Sequence, residues 1–505
     1  MSLINVSNLT FAYEGGYENI FENVSFQIDT NWKLGFTGRN GRGKTTFLNL
    51  LLGKYEYSGN ITKRVNFEYF PYIIDGTRKT TINVIKEIVH DNSNVTEWMI
   101  QRELSLLDTS ESVLLRPFDT LSGGEQNKVL LAGLFLRENS FLLIDEPTNH
   151  LDMSGRETLG KYLNVKSGYI LVSHDRAFLD DCIDHILSIN RANIEVQKGN
   201  FSSWWENKRR QDEYEIAENK RLKGDIKRLA TAAKRASEWS FAVEDSKYMR
   251  NNNIRENAGV GKLDRGYIGH KAAKMMKRSK SIEARKLSAI EDKSSLLKNI
   301  EKTDKLKICQ ERYHARTLIA LDDISIFYDR GEPVCQNVTF SIEREDRVLL
   351  HGKNGSGKSS VLKLICNDSI ENIGYSGRFK IGAGLIVSYV PQDTSFLIGS
   401  LSHYVLENSL DESLFKAILR KLDFSRIQFE KDMSDFSAGQ KKKVLLAKSL
   451  CEKAHLHVWD EPLNFIDVIS RIQIEELILE FKPTMLMVEH DRAFCGNVAT
   501  KTIEL

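Results

Sequence analysis

The stretch GRNGRGKTT at residues 38–46 returns, with conservative changes, as GKNGSGKSS at residues 352–360. Three more motifs recur in the same order, and corresponding residues lie 314 to 316 positions apart. These pairs are LSGGEQNKVLLA (121–132) with FSAGQKKKVLLA (436–447), LLIDEPTNHLD (142–152) with HVWDEPLNFID (457–467), and VSHDRAF (172–178) with VEHDRAF (488–494). Self-similarity at a fixed offset indicates a duplicated unit. The sequence therefore predicts two copies of one domain with a segment inserted between them.

Each copy contains a glycine-rich loop that follows an apolar run, KLGFTG in the first and RVLLHG in the second. In the pattern G-x-x-x-x-G-K-[ST], backbone N–H groups surround phosphate oxygens at the start of a helix. Lys44 and Lys358 would then reach the β- and γ-phosphates of ATP, and the next hydroxyl residue would hold Mg²⁺. The predicted ATP-binding residues of the two loops are Gly38, Gly41, Gly43, Lys44, Thr45, Thr46, Gly352, Gly355, Gly357, Lys358, Ser359 and Ser360.

The runs FLLID and LHVWD have the composition of buried parallel strands that end in a carboxylate. Their last residues, Asp145 and Asp460, are predicted Mg²⁺ ligands together with Thr45 and Ser359 of the glycine-rich loops. The next residues are catalytic candidates, because a glutamate in this position can polarise an attacking water. These glutamates are Glu146 and Glu461. A surface Asp-Glu pair is the alternative, and the apolar strand directly before each pair argues against it.

Composition places few limits on the chain beyond excluding some classes of protein. The 505 residues suffice for about two to four domains, and 41% hydrophobic with 28% charged residues is typical of globular proteins. There is no apolar run of the length that crosses a membrane and no secretory signal pattern at residues 1–14. The six cysteines form no C-x-x-C pair. We therefore expect a cytoplasmic protein without a zinc site or a disulfide framework.

The segment between the copies is strongly basic. Residues 208–307 contain 27 Lys and Arg against 15 Asp and Glu, whereas the whole chain has a net charge of only +2. No proline lies between residues 148 and 332, and four glycines cluster between 259 and 269. This distribution predicts two helices of about 38 residues joined by an irregular turn. Narrow apolar stripes are expected to form their seam: Leu222, Ile226, Leu229 and Ala233 on the first helix, and Leu287, Ile290, Leu297 and Ile300 on the second.

Cations and aromatic rings are mixed at the predicted tip of this hairpin, at about residues 239–270. Basic side chains bind phosphates and flat rings stack on exposed bases, so the mixture indicates structured RNA as a partner. A solvated charged helix face is the alternative. The predicted RNA-contacting residues are Lys247, Tyr248, Arg250, Arg255, Lys262, Arg265, Tyr267, Lys271 and Lys274.

The motifs LSGGEQ, DEPTNHLD and SHDRAF, in this order, resemble the nucleotide-binding domain of the ABC ATPases. The resemblance implies an α/β fold with two tandem ABC-type P-loop domains, in which the signature loop of each copy completes the ATP site of the other. It implies that the switch histidines, His174 and His490, contact the γ-phosphate, and that Gln392 is a further Mg²⁺ ligand. It also implies that Tyr13 and Tyr328 stack on adenine, although a place in the strand core is the alternative for both. The implied signature residues are Ser122, Gly123, Gly124, Glu125, Gln126, Ser437, Ala438, Gly439 and Gln440.

Over its whole length the chain is similar to the ABC-F family, which combines two such domains with a helical linker. The segments GYIGHKAAKMMKRSKS (266–281) and FSAGQKKK (436–443) resemble its antibiotic-resistance, Lsa/Vga-like branch. The implied domains are residues 1–206, the α-helical hairpin linker at 207–310, and residues 311–505. The implied protein is a monomer with paired copies, uses ATP and Mg²⁺, and has neither a membrane nor a DNA partner.

The resemblance further implies that the ATP-bound form occupies the E site of the 70S ribosome and that hydrolysis releases it. The linker would reach past the P-site tRNA to the 23S rRNA of the peptidyl-transferase centre, and protect it from lincosamides, pleuromutilins and streptogramin A. Alternatives are a housekeeping ABC-F translation factor, a fused twin ATPase subunit of a membrane importer, and a DNA-repair ATPase. The importer has no use for a basic hairpin, and repair ATPases usually carry zinc cysteines or longer coiled coils.

Two departures from the family pattern concern one ATP site. Tyr72 stands where the second copy has Gln392, and Ala438 stands where the first copy has Gly123. If the copies pair head to tail, both substitutions fall on the site that contains Lys44. A tyrosine lacks the amide oxygen that helps to order Mg²⁺, and an added Cβ hinders close approach of the backbone. The sequence therefore predicts unequal sites, with slower hydrolysis at the Lys44 site.

Overall fold

The structure, a computed structural model, describes most of the chain. The described residues are 2–14, 19–74, 79–89, 94–149, 151–190, 193–253, 274, 277, 285, 308–328, 332–353, 355–366 and 373–505. For residues 229, 232–233 and 235–253 the description covers the backbone only. The chain divides into two compact units, of which one comprises Met1–Trp204 with Thr303–Leu505 and the other Trp205–Lys302.

The first repeat contains two β-sheets. Its strands are β1 (Leu3–Phe11), β2 (Phe21–Asp29), β3 (Lys33–Thr37), β4 (Ser58–Thr62), β5 (Asn66–Phe70), β6 (Ser140–Asp145), β7 (Tyr169–Val172), β8 (His185–Asn190) and β9 (Asn193–Lys198). An antiparallel sheet has the order β2-β1-β4. The larger sheet has the order β5-β6-β7-β3-β8-β9, with all neighbours parallel except β8 and β9.

The second repeat has the same arrangement. Its strands are β10 (Thr317–Tyr328), β11 (Pro333–Glu343), β12 (Arg347–His351), β13 (Ile373–Ile381), β14 (Val387–Val390), β15 (Leu456–Asp460), β16 (Met485–Val488) and β17 (Lys501–Glu504). The antiparallel sheet has the order β11-β10-β13, and the parallel sheet has the order β14-β15-β16-β12-β17. The latter matches β5-β6-β7-β3-β8 strand for strand. The predicted α/β class, with two copies of one parallel-sheet domain, is confirmed.

The described residues contain thirteen α-helices with defined bounds. They are α1 (Lys44–Leu51), α2 (Thr81–Ile88), α3 (Glu97–Leu106), α4 (Gly123–Phe135), α5 (Met153–Val165), α6 (Arg176–Cys182), α7 (Phe201–Asn253), α8 (Lys358–Cys366), α9 (Leu401–Glu407), α10 (Glu412–Lys421), α11 (Ala438–Cys451), α12 (Val468–Phe481) and α13 (Arg492–Val498). Short 3-10 helices lie at Glu111–Leu115, Phe118–Thr120, Arg426–Glu430 and Met433–Asp435.

Each parallel sheet is packed on both faces. In β12, Val348 and Leu350 belong to an apolar cluster with β10, β11 and α8, whereas Leu349 belongs to the cluster formed with α9 to α13. Successive side chains of a strand point to opposite faces, so the antiparallel sheet covers one face and helices cover the other. Burial on both faces explains why FLLID and LHVWD are almost continuously apolar. These runs form β6 and β15 and end at an aspartate, as predicted.

The helix α7 is longer than the sequence predicts. It contains 53 residues, against the expected length of about 38, and it includes residues 239–253 of the predicted tip. No proline and only one glycine, Gly224, lie within it, so nothing in the sequence ends the helix earlier. Leu222 and Ile226 of the predicted stripe are half-buried. The rest of the stripe, and the stripe of the second predicted helix, lie outside the described side chains.

Within the described residues, no helix is both long and apolar enough to cross a membrane.

Candidate nucleotide-binding sites

Loops at the carboxyl ends of three neighbouring strands bring the predicted residues of each repeat together. In the first repeat β6, β7 and β3 are adjacent, and they lead into the Asp145-Glu146 pair, His174 and the glycine-rich loop. In the second repeat β15, β16 and β12 are adjacent in the same way. The carboxyl edge of a parallel sheet is where ligands bind in open α/β folds. The geometry at this edge therefore identifies two candidate sites, one around Lys44 and one around Lys358.

Both glycine-rich loops adopt a conformation that requires glycine. Gly41 and Gly355 have φ of 80° and 83°, in the left-handed region, and a Cβ added to either would meet nothing within 4 Å. A residue with a side chain would therefore be strained in this backbone conformation, although the space next to Gly41 and Gly355 is open. The lysines close back over their own loops. Lys44 Nζ donates to the Gly38 carbonyl at 2.6 Å, and Lys358 Nζ donates to the Lys353 carbonyl at 2.8 Å.

Burial lowers the pKa of both loop lysines, against the opposing effect of nearby carboxylates. For Lys44 those carboxylates include Asp467 of the second repeat, and for Lys358 they include Asp152 of the first. Each ammonium group is thus close enough to feel charges from both repeats. An anion that replaced the loop carbonyls would give each buried cation a partner of opposite charge.

The predicted Mg²⁺ ligands lie near each other in both repeats. Thr45 Oγ1 donates to Asp145 Oδ2 at 3.4 Å, and Tyr69 donates its hydroxyl to the same oxygen at 3.0 Å. In the second repeat the Ser359 hydroxyl bonds to Asp460, whose Oδ1 is buried without a hydrogen-bond partner. A hydroxyl and an unpaired buried carboxylate oxygen are hard ligands of the kind that Mg²⁺ takes beside nucleotide phosphates. The residues present therefore fit Mg²⁺.

The catalytic candidates face the switch histidines. His174 Nε2 lies 3.3 Å from Glu146 Oε1, outside hydrogen-bond geometry, and His490 Nε2 lies 3.5 Å from Glu461 Oε1. Both glutamates have positive φ, 51° and 46°, which is rare for this residue. Their backbone N–H groups bond to the ends of β7 and β16, at 2.9 and 3.0 Å. The strained turn directs each glutamate to the edge where the glycine-rich loop and the histidine also lie.

The two glutamates differ in charge environment. Glu461 Oε2 accepts from the Gln392 amide at 2.9 Å and the Asn464 amide at 2.5 Å. Although burial raises the pKa of Glu461, hydrogen bonding and charge from His490 and the positive charge of Lys442 lower it overall. Burial and the neighbouring Asp145 instead raise the pKa of Glu146 to about 8.

Tyr72 does not supply the missing amide contact in the first repeat. Its ring faces the Arg137 guanidinium at 5.6 Å, and it is not among the described residues that line the Lys44 cavity. That Tyr72 belongs to the Lys44 site stays a prediction. The amide that Gln392 provides still has no counterpart from Tyr72 at Glu146.

The signature residues cap helices. Ser122 and Glu125 form a capping box at the start of α4, and Ser437 and Gln440 form one at the start of α11. The Gln126 amide donates to the Phe118 and Leu121 carbonyls of its own loop, at 3.1 and 3.2 Å. These hydrogen bonds hold the signature loop in shape.

Two cavities are each lined by both repeats. A cavity of about 590 Å³ combines first-repeat residues with the second signature loop; it is lined by Tyr13, Ile20, Asn40, Gly41, Gly43, Lys44, Thr45, Thr46, Glu146, His174, Ser437, Ala438, Gly439 and Phe465. A larger cavity of about 1030 Å³ combines Lys358, Ser359, Gln392, Glu461 and His490 with Ser122, Gly123, Gly124 and Glu125. The repeats thus pair head to tail, and Ala438 lies on the Lys44 side.

The adenine-stacking candidates bond to the helices that follow the loops. The hydroxyls of Tyr13 and Thr46 are 2.8 Å apart, and those of Tyr328 and Ser360 are 2.9 Å apart. Tyr13 is 44% exposed, so its ring is not part of the strand core. Its role in stacking stays a prediction.

Buried lysines of the second signature helix were not predicted. Lys442 is 2% exposed and donates to the Pro391 carbonyl at 2.9 Å, next to Gln392. Lys443 pairs with Asp467 at 3.1 Å. The run KKK in the second signature, where the first has QNK, is a sequence signal that could have shown them, since three consecutive residues of a helix span about 200° and cannot all lie on one exposed face.

The predicted RNA-contacting residues fall mostly outside the described side chains. Lys274 is helical and exposed. Lys247, Tyr248 and Arg250 belong to α7, for which only the backbone is described there. The others, which lie outside the described residues, are Arg255, Lys262, Arg265, Tyr267 and Lys271.

Comparison with known proteins identifies relatives over the whole chain. A model of the ABC transporter family matches residues 21–149 and 335–464, slightly more than half of the chain. The ATP-binding protein Uup of Buchnera aphidicola subsp. Acyrthosiphon pisum (strain APS) is 27% identical, over 99% of this chain and 80% of that protein. The Ribosome protection protein VmlR of Bacillus subtilis (strain 168) is also 27% identical, over 98% of this chain and 84% of that protein.

Solved structures share the fold. The archaeal ribosome recycling factor aABCE1, in complex with the ribosomal stalk protein aP1, matches with a TM-score of 0.59 and 18% identity, over 98% of this chain and 87% of that chain. The RNase-L Inhibitor matches with a TM-score of 0.59 and 17% identity, over 99% and 87% of the two chains.

Proposed function

The chain belongs to the ABC transporter family, and on that basis we propose that it is an ABC-F ATPase of the antibiotic-resistance, Lsa/Vga-like branch. ABC transporter ATP-binding domains hydrolyse ATP, and the chain is an ATPase. Its proposed partner is the 70S ribosome, bound at the E site in the ATP form and released by hydrolysis. The proposed effect is protection from lincosamides, pleuromutilins and streptogramin A in the cytoplasm.

One observation carries this proposal. Similarity to the Ribosome protection protein VmlR extends over 98% of the chain, and so includes the segment between the repeats as well as the ATP-binding domains. The described part of that segment supports it, since α7 continues as one helix to Asn253 and leads toward the most basic part of the sequence. The proposed domains are 1–206, the linker 207–310, and 311–505. Basic and aromatic residues of the linker would contact 23S rRNA and the P-site tRNA.

The proposed mechanism assigns a task to each described group. Lys44 and Lys358 leave their loop carbonyls and bind phosphate oxygens, and the first turns of α4 and α11 face the phosphates from the opposite repeat. Glu461, and Glu146 once it is deprotonated, accept a proton from the attacking water, and the switch histidines orient that water with the γ-phosphate. Thr45 with Asp145, and Ser359 with Asp460 and Gln392, would hold Mg²⁺, which would supply positive charge beside the β- and γ-phosphates.

Closure of both cavities requires the repeats to approach, because each site takes residues from both. The ATP form would therefore be the closed form, and hydrolysis would remove the ligand that joins the repeats. This is the step proposed to release the ribosome.

Co-sedimentation with 70S ribosomes in ATP tests the proposal. We expect the Glu146→Gln/Glu461→Gln variant to pellet with ribosomes, because loss of the general base slows hydrolysis by about 10²- to 10⁴-fold and traps the closed form. Replacement of residues 240–269 by a short Gly/Ser turn in the hydrolysis-competent chain should abolish drug protection, which is measured as growth of cells on each drug class. Absence of the trapped variant from the ribosome pellet would contradict the proposal.

A housekeeping ABC-F translation factor is the second candidate, since relatives such as the ATP-binding protein Uup match over the same length. It would bind ribosomes in the same assay. Growth of cells with and without the gene on each drug class distinguishes it, because a housekeeping factor leaves the inhibitory concentrations unchanged.

A further inference from the structure

Two buried ion pairs lie at equivalent places in the two repeats. Arg156 of α5 pairs with Asp175, the N-cap of α6, with 2.9 Å between Nη1 and Oδ2. Arg471 of α12 pairs with Asp491, the N-cap of α13, at 3.1 Å. Both aspartates directly follow a switch histidine. Asp175, Arg471 and Asp491 are buried and Arg156 is 13% exposed, so these charges are largely shielded from water.

The first of these arginines reaches across to the other repeat. Arg156 Nη1 also donates to the backbone carbonyl of His490, at 3.3 Å. Arg156 lines the Lys358 cavity together with Glu461 and His490. A single guanidinium group thus contacts the loop of one switch histidine through Asp175 and the backbone of the other switch histidine directly.

The contact is one-sided in the described part of the chain. Arg471 donates to the Ile466 carbonyl at 2.9 Å and to Asp491, both in its own repeat. No hydrogen bond joins Arg471 to the His174 carbonyl among the described residues, and Arg471 does not line the Lys44 cavity. The two ion pairs nevertheless interact. Burial raises the pKa of Asp175, and the negative charge of Asp491 raises it further.

We propose that Arg156 is a positioning residue by which the first repeat sets the switch histidine of the Lys358 site. The inference rests on the proposed role of His490 at that site. The His490 carbonyl precedes the N-cap of α13, so a bond to it fixes the turn from which the imidazole extends toward Glu461. A shift of α5 that breaks this bond frees the turn. The state of the Lys44 repeat is thereby transmitted to the Lys358 site, and the described residues contain no equivalent bond in the reverse direction.

Removal of Arg156 alone would leave Asp175 as an unpaired buried charge. The test therefore replaces both residues of the ion pair by neutral ones. The starting variant is Asp175→Asn, because asparagine still caps α6 while Arg156 keeps its bond to His490. Arg156→Gln is then added. Single-turnover ATP hydrolysis is measured for each variant in two backgrounds: Glu146→Gln, which reports the Lys358 site, and Glu461→Gln, which reports the Lys44 site.

We expect addition of Arg156→Gln to slow the Lys358 site by at least about tenfold, since small errors of alignment are costly to rate. At the Lys44 site the same addition should change the rate by less than about threefold. Equal slowing at both sites, slowing confined to the Lys44 site, or no change would overturn the proposal. Thermal unfolding of each variant controls for stability, which a merely structural role would change without site selectivity.

The matched control adds Arg471→Gln to Asp491→Asn. Among the described residues Arg471 makes no hydrogen bond to the first repeat, and its charge acts on Glu146 only through space, so this addition should slow the Lys44 site by less than Arg156→Gln slows the Lys358 site. If the Arg156→Gln variant does not fold, Arg156→Lys takes its place, because lysine keeps the positive charge but lacks the planar guanidinium group. The outcomes that support or overturn the proposal are then the same. His490→Ala in the Glu146→Gln background tests the role of His490 separately. Full activity of that variant would refute the proposed role of His490 at the Lys358 site, not the proposed coupling through Arg156. The assay does not test the ribosomal proposal.

Discussion

The Gln392 amide donates to Glu461 Oε2 at 2.9 Å and thereby joins two loops that follow adjacent strands, β14 and β15. Among the described residues no such bond joins Tyr72 to Glu146, and the Tyr72 ring faces Arg137. One glutamate is therefore held by amide donors in a favourable charge environment and the other is buried beside Asp145. The two candidate ATP sites therefore differ in the surroundings of the glutamate that is proposed to activate water.

We first expect the two sites to hydrolyse ATP at unequal rates. Glu461→Gln should remove most of the steady-state ATPase activity, whereas Glu146→Gln should leave at least about half, because Glu461 sits in the better-prepared site. The two single variants are compared with the double variant as the baseline. Equal losses would show that the two sites turn over at the same rate.

Tyr72→Gln should speed the slow site. In the Glu461→Gln background, we expect the single-turnover rate of the Lys44 site to rise by about three- to tenfold, because the new amide can bond to Glu146 and help to hold Mg²⁺. The matched variant is Gln392→Tyr in the Glu146→Gln background, which should slow the Lys358 site by a similar factor. A rate that is unchanged by both exchanges would remove the amide from the explanation.

Gly439→Ala should distort the second signature loop where it lines the Lys44 cavity. An added Cβ would lie 2.5 Å from the Phe465 carbonyl oxygen, which belongs to the backbone and cannot rotate away. We expect hydrolysis at this site to fall by at least about tenfold. Gly160→Ala is the control, because its nearest neighbour would be a ring carbon of Phe178 at an ordinary 3.7 Å. Loss of activity in the control but not in Gly439→Ala would contradict the steric argument.

Lys443→Met should destabilise the fold by about 3–5 kcal/mol, because it leaves the fully buried Asp467 without its counter-ion. The free energy of unfolding is measured in denaturant at neutral pH. Lys448→Met serves as the control, since its pair with Glu452 is partly exposed and should contribute less than about 1 kcal/mol.

The same pair makes stability depend on pH in a defined direction. Although burial alone raises it, the charge of Lys443 holds the pKa of Asp467 well below its usual range. The unfolded chain therefore takes up the proton first as pH falls, and the stabilisation present above pH of about 4 is lost below it. Lys443→Met should flatten this acid dependence. A steeper dependence in the variant would show that another group is responsible.

Local patterns were enough to locate most of each site. The glycine-rich loops, the strands that end at Asp145 and Asp460, and the capping serines depend on residues close in sequence, so their chemistry can be inferred from spacing. Contacts between repeats could not be inferred in this way. The bond from Arg156 to His490 joins residues 334 positions apart and depends on how α5 and α13 approach, which no local pattern encodes. The length of α7 was underestimated because polar residues such as Asn251 to Asn253 do not by themselves end a helix.

The continuity of α7 has a mechanical consequence. Phe201 and Trp204, 1% and 5% exposed, fix its first turn in the unit that contains the ATP sites. With 53 residues at about 1.5 Å each, the helix is about 80 Å long. A tilt of about 5° at Phe201 would displace the far end by about 7 Å, if the helix moves as a straight rod of that length. The length of one continuous helix thus converts a small change of angle at its first turn into a displacement of several ångströms at Asn253.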